Sequence, residues 1–220
     1  MLSILARNLV PAFGRLTVTT DPAAALEPGS IIAPNHTSLV DPAVVLAALE
    51  RLGVRPVVLA TAGLWKVPGL GRLLDSGGHV AVHRATDRAA SALDSAAAAL
   101  SEGRIVLIYG EGCLPRRRDS AEAAPGDFRS GISRLALATG APVVPLGQAG
   151  SRRISSGSGT KQIAGVVTAP LRRPGLHVHI GAPVALTGDV RAATEHTRRA
   201  VASAWHSAER RLRQHTALVV

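Results

Sequence analysis

The chain has 220 residues, a formal net charge of +10, one cysteine and only 2% aromatic residues. This length is enough for one hydrophobic core, so residues 1–220 are expected to form a single domain. A lone cysteine excludes an internal disulfide and fits a reducing compartment, while the few aromatic residues provide poorly for stacking on nucleic-acid bases. With no apolar run of about 18 residues and no signal peptide evident, we expect a soluble or peripheral protein.

The first half of the chain predicts alternating strands and helices. Residues 1–20 contain a candidate interfacial helix, and an ordinary packing helix fits the same pattern. The helix after the first strand begins at Asp41-Pro42, because proline favours the first position of a helix. The remaining apolar runs and breaks predict strands over 30–33, 56–60, 79–83 and 105–109, and a helix over 87–101.

The second half continues the alternation. After a polar, arginine-rich loop we predict a helix over 130–139 and a strand over 142–146. Residues 147–162 form the most flexible-looking loop, which is expected to fold over the substrate. Residues 163–168 and 176–180 read as a late strand pair, and a long basic helix covers 188–215. The alternation predicts an α/β fold, with a mixed sheet flanked by helices.

A histidine and a carboxylate stand five positions apart on the first strand-to-helix loop. A turn between His36 and Asp41 would bring them together, and neutral imidazole is suited to taking a hydroxyl proton near pH 7. A carboxylate on the other ring nitrogen would fix the tautomer. Each residue also has an ordinary interpretation, Asp41 as a helix cap and His36 as a surface residue.

The string Asn35–Pro42 closely resembles the N-H-x4-D motif of the glycerolipid acyltransferases, the PlsC-like family typified by 1-acylglycerol-3-phosphate acyltransferase. Three further blocks, at 78–84, 109–112 and 141–146, follow in the order of that family. The four blocks cover roughly residues 30–150, the motif-bearing core. The resemblance implies the glycerolipid acyltransferase fold, with an apolar tunnel for the acyl chain.

The chain also departs from the family pattern. Cys113-Leu114-Pro115-Arg116 follows Glu111-Gly112, where the family has threonine and arginine. Gly110 replaces a proline, and Arg129 replaces a lysine, which keeps the charge but changes the hydrogen-bond geometry. The departures leave the identity of the acceptor headgroup open.

The resemblance implies a set of site residues and no metal or cofactor. His36 would be the catalytic base and Asp41 the residue that orients it. A fork for phosphate oxygens is expected at Arg84, for which a solvated surface charge is the alternative. The full set of expected substrate-binding residues is Arg84, Glu111, Gly112, Arg116, Arg129 and Pro145.

The expected reaction moves a fatty acyl group from acyl-CoA or acyl carrier protein to a lysophosphatidate-like hydroxyl, giving phosphatidate in phospholipid biosynthesis. The net charge of +10 suits either nucleic acid or an anionic membrane. The few aromatic residues, together with the acyltransferase blocks, favour a cytoplasmic enzyme that is peripheral on the inner face of the membrane. A solvated basic surface without a partner is the alternative. The alternatives are another lysolipid or a specialised-metabolite acceptor, a covalent route through Cys113 or Ser38, a non-catalytic lipid-binding protein, and a nucleic-acid-binding protein.

Two further patterns are discounted. His177 and His179 lie on one face of a strand, which we interpret as a half-exposed face rather than a metal site. The run 157–161 lacks the full phosphate-loop pattern and is interpreted as a flexible loop.

Overall fold

A computed structural model of the chain describes residues 1–83, 88–114, 119 and 121–217. The described residues form seven strands in one sheet. They are β1 (Arg15–Thr20), β2 (Ile31–Pro34), β3 (Val57–Thr61), β4 (Val80–Val82), β5 (Val106–Leu107), β6 (Val143–Ala149) and β7 (Gly175–Ile180). Their spatial order is β1-β7-β6-β2-β5-β3-β4, with β6 and β7 antiparallel and the other neighbours parallel.

Helices cover both faces of the sheet. They are α1 (Leu2–Phe13), α2 (Asp41–Arg51), α3 (Leu70–Ser76), α4 (Arg88–Ser101), α5 (Gly131–Thr139), α6 (Gly159–Arg172) and α7 (Val190–Ala217), with short 3-10 turns at Ala62–Lys66 and Ser151–Arg153. Alternate strand residues face opposite sides, so Ile32 packs with α1, α2 and α6, while Ile31 packs with α4, α5 and α7. The predicted mixed α/β sheet flanked by helices is confirmed.

Local sequence explains where the helices beside the functional loops begin and end. Pro42 stands in the first turn of α2, where its missing N–H costs no hydrogen bond, and Asp41 is the acidic residue of that turn. Gly140 ends α5 in the left-handed conformation. Both boundaries agree with the sequence prediction.

The last helix lies directly on the central strand β6. A Cβ atom at Gly147 would stand 2.1 Å from the backbone of Ala204 in α7, so only glycine permits this approach. Beyond Gly147, the buried residues Ala149, Ala208 and Leu212 form a small separate cluster between β6 and α7. The basic helix predicted over 188–215 is therefore bound to the sheet along one side.

Three sequence predictions about secondary structure are wrong. Residues 15–20 form β1, so the N-terminal helix ends at Phe13. Residues 147–162 are not one flexible loop, because they include the end of β6, a 3-10 turn and the start of α6. The strand predicted over 163–168 lies inside α6, where Val166 and Ala169 pack on the core at helical spacing.

The half-exposed face predicted for His177 and His179 is also wrong, because both residues are buried. The His177 ring nitrogens lie 2.6 Å and 2.9 Å from the hydroxyls of Thr17 and Thr19 on β1. His179 lies 2.9 Å from the Thr19 hydroxyl and 3.2 Å from a carboxylate oxygen of Asp21. We call this row the β1/β7 ladder.

Candidate active site

The loop from Asn35 to Val40 leaves the sheet at the carboxyl end of β2. The segment after β5, which carries Tyr109 and Glu111, leaves from the neighbouring strand on the same edge because β2 and β5 are parallel. Open α/β sheets commonly bind ligands at this edge. The topology therefore brings together two of the blocks that the sequence singled out.

Asn35 follows the last residue of β2, and its side chain continues the hydrogen bonding to β6. The Asn35 amide nitrogen donates to the carbonyl oxygen of Gln148 at 3.1 Å, and its side-chain oxygen accepts the Gln148 N–H at 2.8 Å. These two bonds replace the next backbone pair of the ladder. The main chain is thus free to turn away from the sheet at His36.

His36 and Asp41 meet, as the sequence predicted. The Nδ1 atom of His36 lies 3.1 Å from Oδ2 of Asp41, and the Asp41 side chain is completely buried while that of His36 is 17% exposed. An ionised carboxylate only accepts hydrogen bonds, so the ring proton resides on Nδ1 and the lone pair on Nε2. Within the described ranges, no hydrogen bond occupies Nε2.

Asp41 also organises the backbone of the loop. Its Oδ2 atom accepts the N–H groups of Thr37 and of Ser38, the latter at 2.7 Å. Among the residues that the structure describes, the Oδ1 atom has no hydrogen-bond partner. One carboxylate oxygen therefore holds the turn and the imidazole together.

Tyr109 packs beside the imidazole of His36. The two ring centroids are 4.4 Å apart and the planes are inclined by 37°. Burial, with a smaller effect from the charge of Asp41, keeps the pKa of Tyr109 well above its usual value, so the phenol is neutral at physiological pH. Tyr109 lies in the third block of the sequence resemblance, and its contact with His36 was not predicted from the sequence.

Glu111 links its own loop to the backbone of His36. One carboxylate oxygen accepts the His36 N–H at 2.6 Å, and the other accepts the Gly126 N–H at 3.1 Å. Burial raises the pKa of Glu111, and these two bonds act in the opposite direction. Because both oxygens are used within the protein, Glu111 positions the loop of the histidine.

Gly110 and Gly112 lie against the Phe128-Arg129 segment. A Cβ atom at Gly110 would stand 2.3 Å from the Phe128 ring, and one at Gly112 would stand 2.9 Å from the Arg129 side chain. The backbone N–H of Arg129 donates to the Gly110 carbonyl at 2.8 Å. The guanidinium of Arg129, an exposed residue, is therefore brought beside the Glu111 loop.

Arg152 is a buried cation that the sequence analysis missed. Its guanidinium donates to the carbonyl oxygens of Thr37 at 3.0 Å, Ala121 at 2.8 Å and Asp119. It therefore ties the loop of the histidine to the segment after the arginine-rich stretch. Nothing in the sequence separates Arg152 from the neighbouring Arg153, which is exposed.

Glu122 is a second missed residue near the site. It accepts the Gly150 N–H at 3.0 Å, and its other carboxylate oxygen has no hydrogen bond to the part of the chain that is described. Burial raises the pKa of Glu122, and the nearby charge of Asp41 adds to this effect.

The other predicted site residues lie in different places. Pro145 is buried inside β6, paired with Ala33. Arg84 and Arg116 lie outside the described residues. Of the two alternative nucleophiles, Cys113 is exposed, whereas Ser38 is buried and donates its hydroxyl proton to the Ser155 carbonyl at 2.7 Å.

This arrangement is suited to removing a proton from an alcohol. The His36 side chain is partly exposed, its Nε2 atom has no hydrogen bond within the described ranges, and Asp41 can stabilise the imidazolium that forms. Outside the gaps at 84–87, 115–118, 120 and 218–220, no group of three or more His, Cys, Asp or Glu side chains is arranged to hold a metal ion. In the same part of the chain, no helix has the length and apolar character needed to cross a bilayer.

Comparisons with known proteins identify the family and the fold of the chain. A family model described as Acyltransferase matches residues 15–148. The crystal structure of the 1-acyl-sn-glycerophosphate (LPA) acyltransferase PlsC from Thermotoga maritima matches with a TM-score of 0.64 and 19% sequence identity, covering 91% of this chain and 76% of that one. No curated protein sequence matches the chain. The two chains thus share a fold.

Proposed function

Because the chain belongs to the acyltransferase family, we propose that it transfers a fatty acyl group from an acyl thioester to the hydroxyl of a lysophosphatidate-like acceptor. The product would be phosphatidate for phospholipid biosynthesis, and the donor acyl-CoA or acyl carrier protein. The observation that carries the proposal is the His36–Asp41 pair, whose outer ring nitrogen has no hydrogen bond within the described ranges. No cofactor beyond the acyl donor is proposed.

The chemistry requires one proton to move twice. As the acceptor oxygen attacks the thioester carbonyl, Nε2 of His36 takes the hydroxyl proton and Asp41 stabilises the resulting imidazolium. When the tetrahedral intermediate collapses, the C–S bond breaks and the thiolate leaves. The thiolate then receives the proton from His36, which returns the site to its starting state with an ester formed.

We place the phosphate of the acceptor among arginines. Arg129 is exposed beside Gly112 and retains the fork of donors that suits phosphate oxygens. Arg84 and Arg116 are proposed as further binders. Glu111 is assigned to positioning His36, because its carboxylate oxygens already accept two backbone N–H groups.

Direct transfer is favoured over a covalent acyl-enzyme. The Ser38 hydroxyl is buried and donates to the Ser155 carbonyl, so its proton is not directed at His36. Cys113 is exposed, and within the described ranges no hydrogen bond joins its thiol to the base that a nucleophilic thiol requires.

The test is a turnover assay of the purified protein with palmitoyl-CoA and lysophosphatidate. Free thiol and lipid product are followed together by mass spectrometry, with His36→Ala alongside and His196→Ala, an exposed histidine of α7, as the matched control. Phosphatidate from the unmodified and control proteins, but not from His36→Ala, is expected. Full activity of His36→Ala would exclude the proposed base.

One specific feature, the contact between Gly110 and Phe128, favours an acceptor other than lysophosphatidate. A proline at position 110, as in the family pattern, would place ring atoms where the Phe128 ring lies, so this loop is packed differently. The same chemistry on another lysolipid or on a specialised metabolite is the alternative. Thiol release without phosphatidate, followed by product formation with another lysolipid, would favour it.

We also propose that the enzyme works at the anionic inner face of a membrane. The support is its net charge of +10 and the amphiphilic nature of the proposed acceptor.

A further inference from the structure

Helix α6 carries an exposed apolar stripe that the protein itself does not cover. Ile163, Val167 and Leu171 are 68%, 69% and 90% exposed. Their spacing of four residues places them on one side of the helix, whereas Val166 and Ala169 face the core. Large apolar side chains in a row at such exposure indicate a surface that binds something.

Helix α1 adds further exposed apolar residues. The two helices pack against each other, and the Arg173 side chain at the end of α6 donates to the Pro11 carbonyl of α1 at 3.2 Å. We call the exposed apolar residues of these two packed helices, taken together, the α1/α6 face. Its members are Met1, Ile4, Leu5 and Leu9 of α1 with Ile163, Val167 and Leu171 of α6.

Cations accompany the α1/α6 face. Beside α6 lies an open groove of about 500 Å³, which is lined by Arg152, Arg153, Lys161 and Arg172 and has Asp119 as an acidic residue of its lining. Arg172 donates to neutral oxygens, the Arg153 and Gly165 carbonyls and the Thr168 hydroxyl, and among the described residues it forms no ion pair. An apolar stripe beside clustered cations is complementary to an anionic lipid surface.

The same surface is joined to the loop of the candidate base. Ser155, a few residues before the start of α6, accepts the hydroxyl of Ser38, and Arg152 holds the Thr37 carbonyl. Between His36 and Asp41 the side chain of Leu39 is 64% exposed. These two hydrogen bonds connect the segment that leads into α6 to the loop that carries the base.

We propose that the α1/α6 face docks on an anionic lipid surface, with the α6 stripe entering the acyl boundary and the groove cations meeting the headgroups. The inference rests on the proposed function in one respect, which is that docking serves an acceptor held in the membrane. Docking itself is independent of turnover and can be measured without it.

The experiment is flotation of the full chain with two kinds of vesicle, phosphatidylcholine alone and phosphatidylcholine with phosphatidylglycerol. We expect binding to the anionic vesicles and a loss of at least about tenfold for the double variant Val167→Asp/Leu171→Asp, because two apolar side chains no longer enter the lipid. The matched control is Val67→Asp, which changes an exposed valine at the end of the 3-10 turn near β4.

Lys161→Gln provides a second variant at an exposed site where folding is not at risk. It should weaken binding to the anionic vesicles roughly fivefold at low salt, because one charge near the surface is lost. Equal vesicle binding by the unmodified protein and the double variant would overturn the inference. So would a stable dimer in solution whose dissociation is caused by the double variant, because a second copy would then cover the face.

The assay also separates the two proposals. The protein could form phosphatidate from a short-chain, monomeric acceptor while the Val167→Asp/Leu171→Asp variant binds vesicles as well as the unmodified protein does. That result would overturn the docking inference alone. Stripe-dependent vesicle binding without acyl transfer to any lysolipid would support docking and overturn the proposed function.

Discussion

The described part of the chain contains two histidine–aspartate pairs with nearly equal N–O distances but different surroundings. His36 lies 3.1 Å from Asp41 on a loop at the carboxyl end of β2, and His179 lies 3.2 Å from Asp21 in the β1/β7 ladder. In the first pair the carboxylate is buried and the imidazole is partly exposed. In the second, the aspartate is the more exposed partner.

The difference lies in the second ring nitrogen. In His36 it is open within the described ranges, whereas in His179 it lies 2.9 Å from the Thr19 hydroxyl. A base needs an unoccupied lone pair within reach of the substrate, and a structural histidine needs both nitrogens paired. A histidine–carboxylate distance therefore does not identify a catalytic pair.

Replacing each histidine with alanine should give the largest difference in kcat/KM between the two pairs. We expect His36→Ala to lower kcat/KM by about 10²- to 10⁴-fold, the usual value of a general base. His179→Ala should leave kcat/KM of the folded fraction unchanged. Steady-state thiol release with palmitoyl-CoA and lysophosphatidate measures both, and equal losses in the two variants would contradict the comparison.

The aspartates provide a second, smaller contrast. Asp41→Asn keeps the shape but removes the charge that stabilises the imidazolium, and we expect kcat to fall about a hundredfold or more. Asp21→Asn should not change kcat. The same assay applies, with circular dichroism to show that the variants are folded; unchanged kcat in Asp41→Asn would exclude the orienting role.

The His36 pair also depends on support from outside its loop. Arg152→Met removes the donor to the Thr37 carbonyl, and we expect kcat to fall about tenfold because the base is displaced. Arg153→Met, the exposed neighbour, is the control, and both are assayed with a short-chain soluble acceptor. A loss of equal size in the control would show that charge rather than position is responsible.

A substitution in the β1/β7 ladder should lower the free energy of unfolding and leave kcat unchanged. His177→Leu removes the hydrogen bonds of the Thr17 and Thr19 hydroxyls to the His177 ring, and we expect the free energy of unfolding to fall by about 1–3 kcal/mol. Urea unfolding measures this, with His196→Leu as the exposed control. A destabilised His177→Leu protein that also lost kcat per folded molecule would place the ladder within the catalytic site.

The smallest expected effect concerns pH. Because burial raises the pKa of Glu111, the folded protein binds this proton more tightly than the unfolded chain does. The stability contributed by this group is therefore present at acid pH and is lost as pH rises through the raised pKa. Glu111→Gln should flatten this decrease in urea unfolding measured over a pH series that begins below the ordinary pKa of glutamate. Glu27→Gln, at an exposed site, should not, and parallel curves for the unmodified and Glu111→Gln proteins would contradict the assignment.

The sequence predicted the alternation of strands and helices because apolar periodicity and boundary residues such as Pro42 and Gly140 act locally. It failed in α6, where the run from Ile163 to Thr168 is rich in β-branched residues. The helical state is favoured there by contacts distant in sequence, including the close approach of Gly165 to the Ile154 carbonyl. Tertiary packing thus overrode local propensity.

For the site, the prediction succeeded where the partners are close in the chain. His36 and Asp41 could be paired because only a turn separates them. The contacts of Glu111 with the His36 N–H and of Arg152 with the Thr37 carbonyl join residues 75 and 115 positions apart. Such pairings depend on strand order, which a single sequence does not specify, so the roles of Glu111 and Arg152 emerged only from the fold.

The β1/β7 ladder joins the edge strand to the sheet a second time. It contains five hydrogen bonds in series, which connect the Leu176 carbonyl, Thr17, His177, Thr19, His179 and Asp21. The same two strands also pair in parallel through their backbones from Arg15 to Thr20. Separating edge strand β1 from β7 would therefore break a row of side-chain bonds together with the backbone bonds, which opposes local opening of this edge.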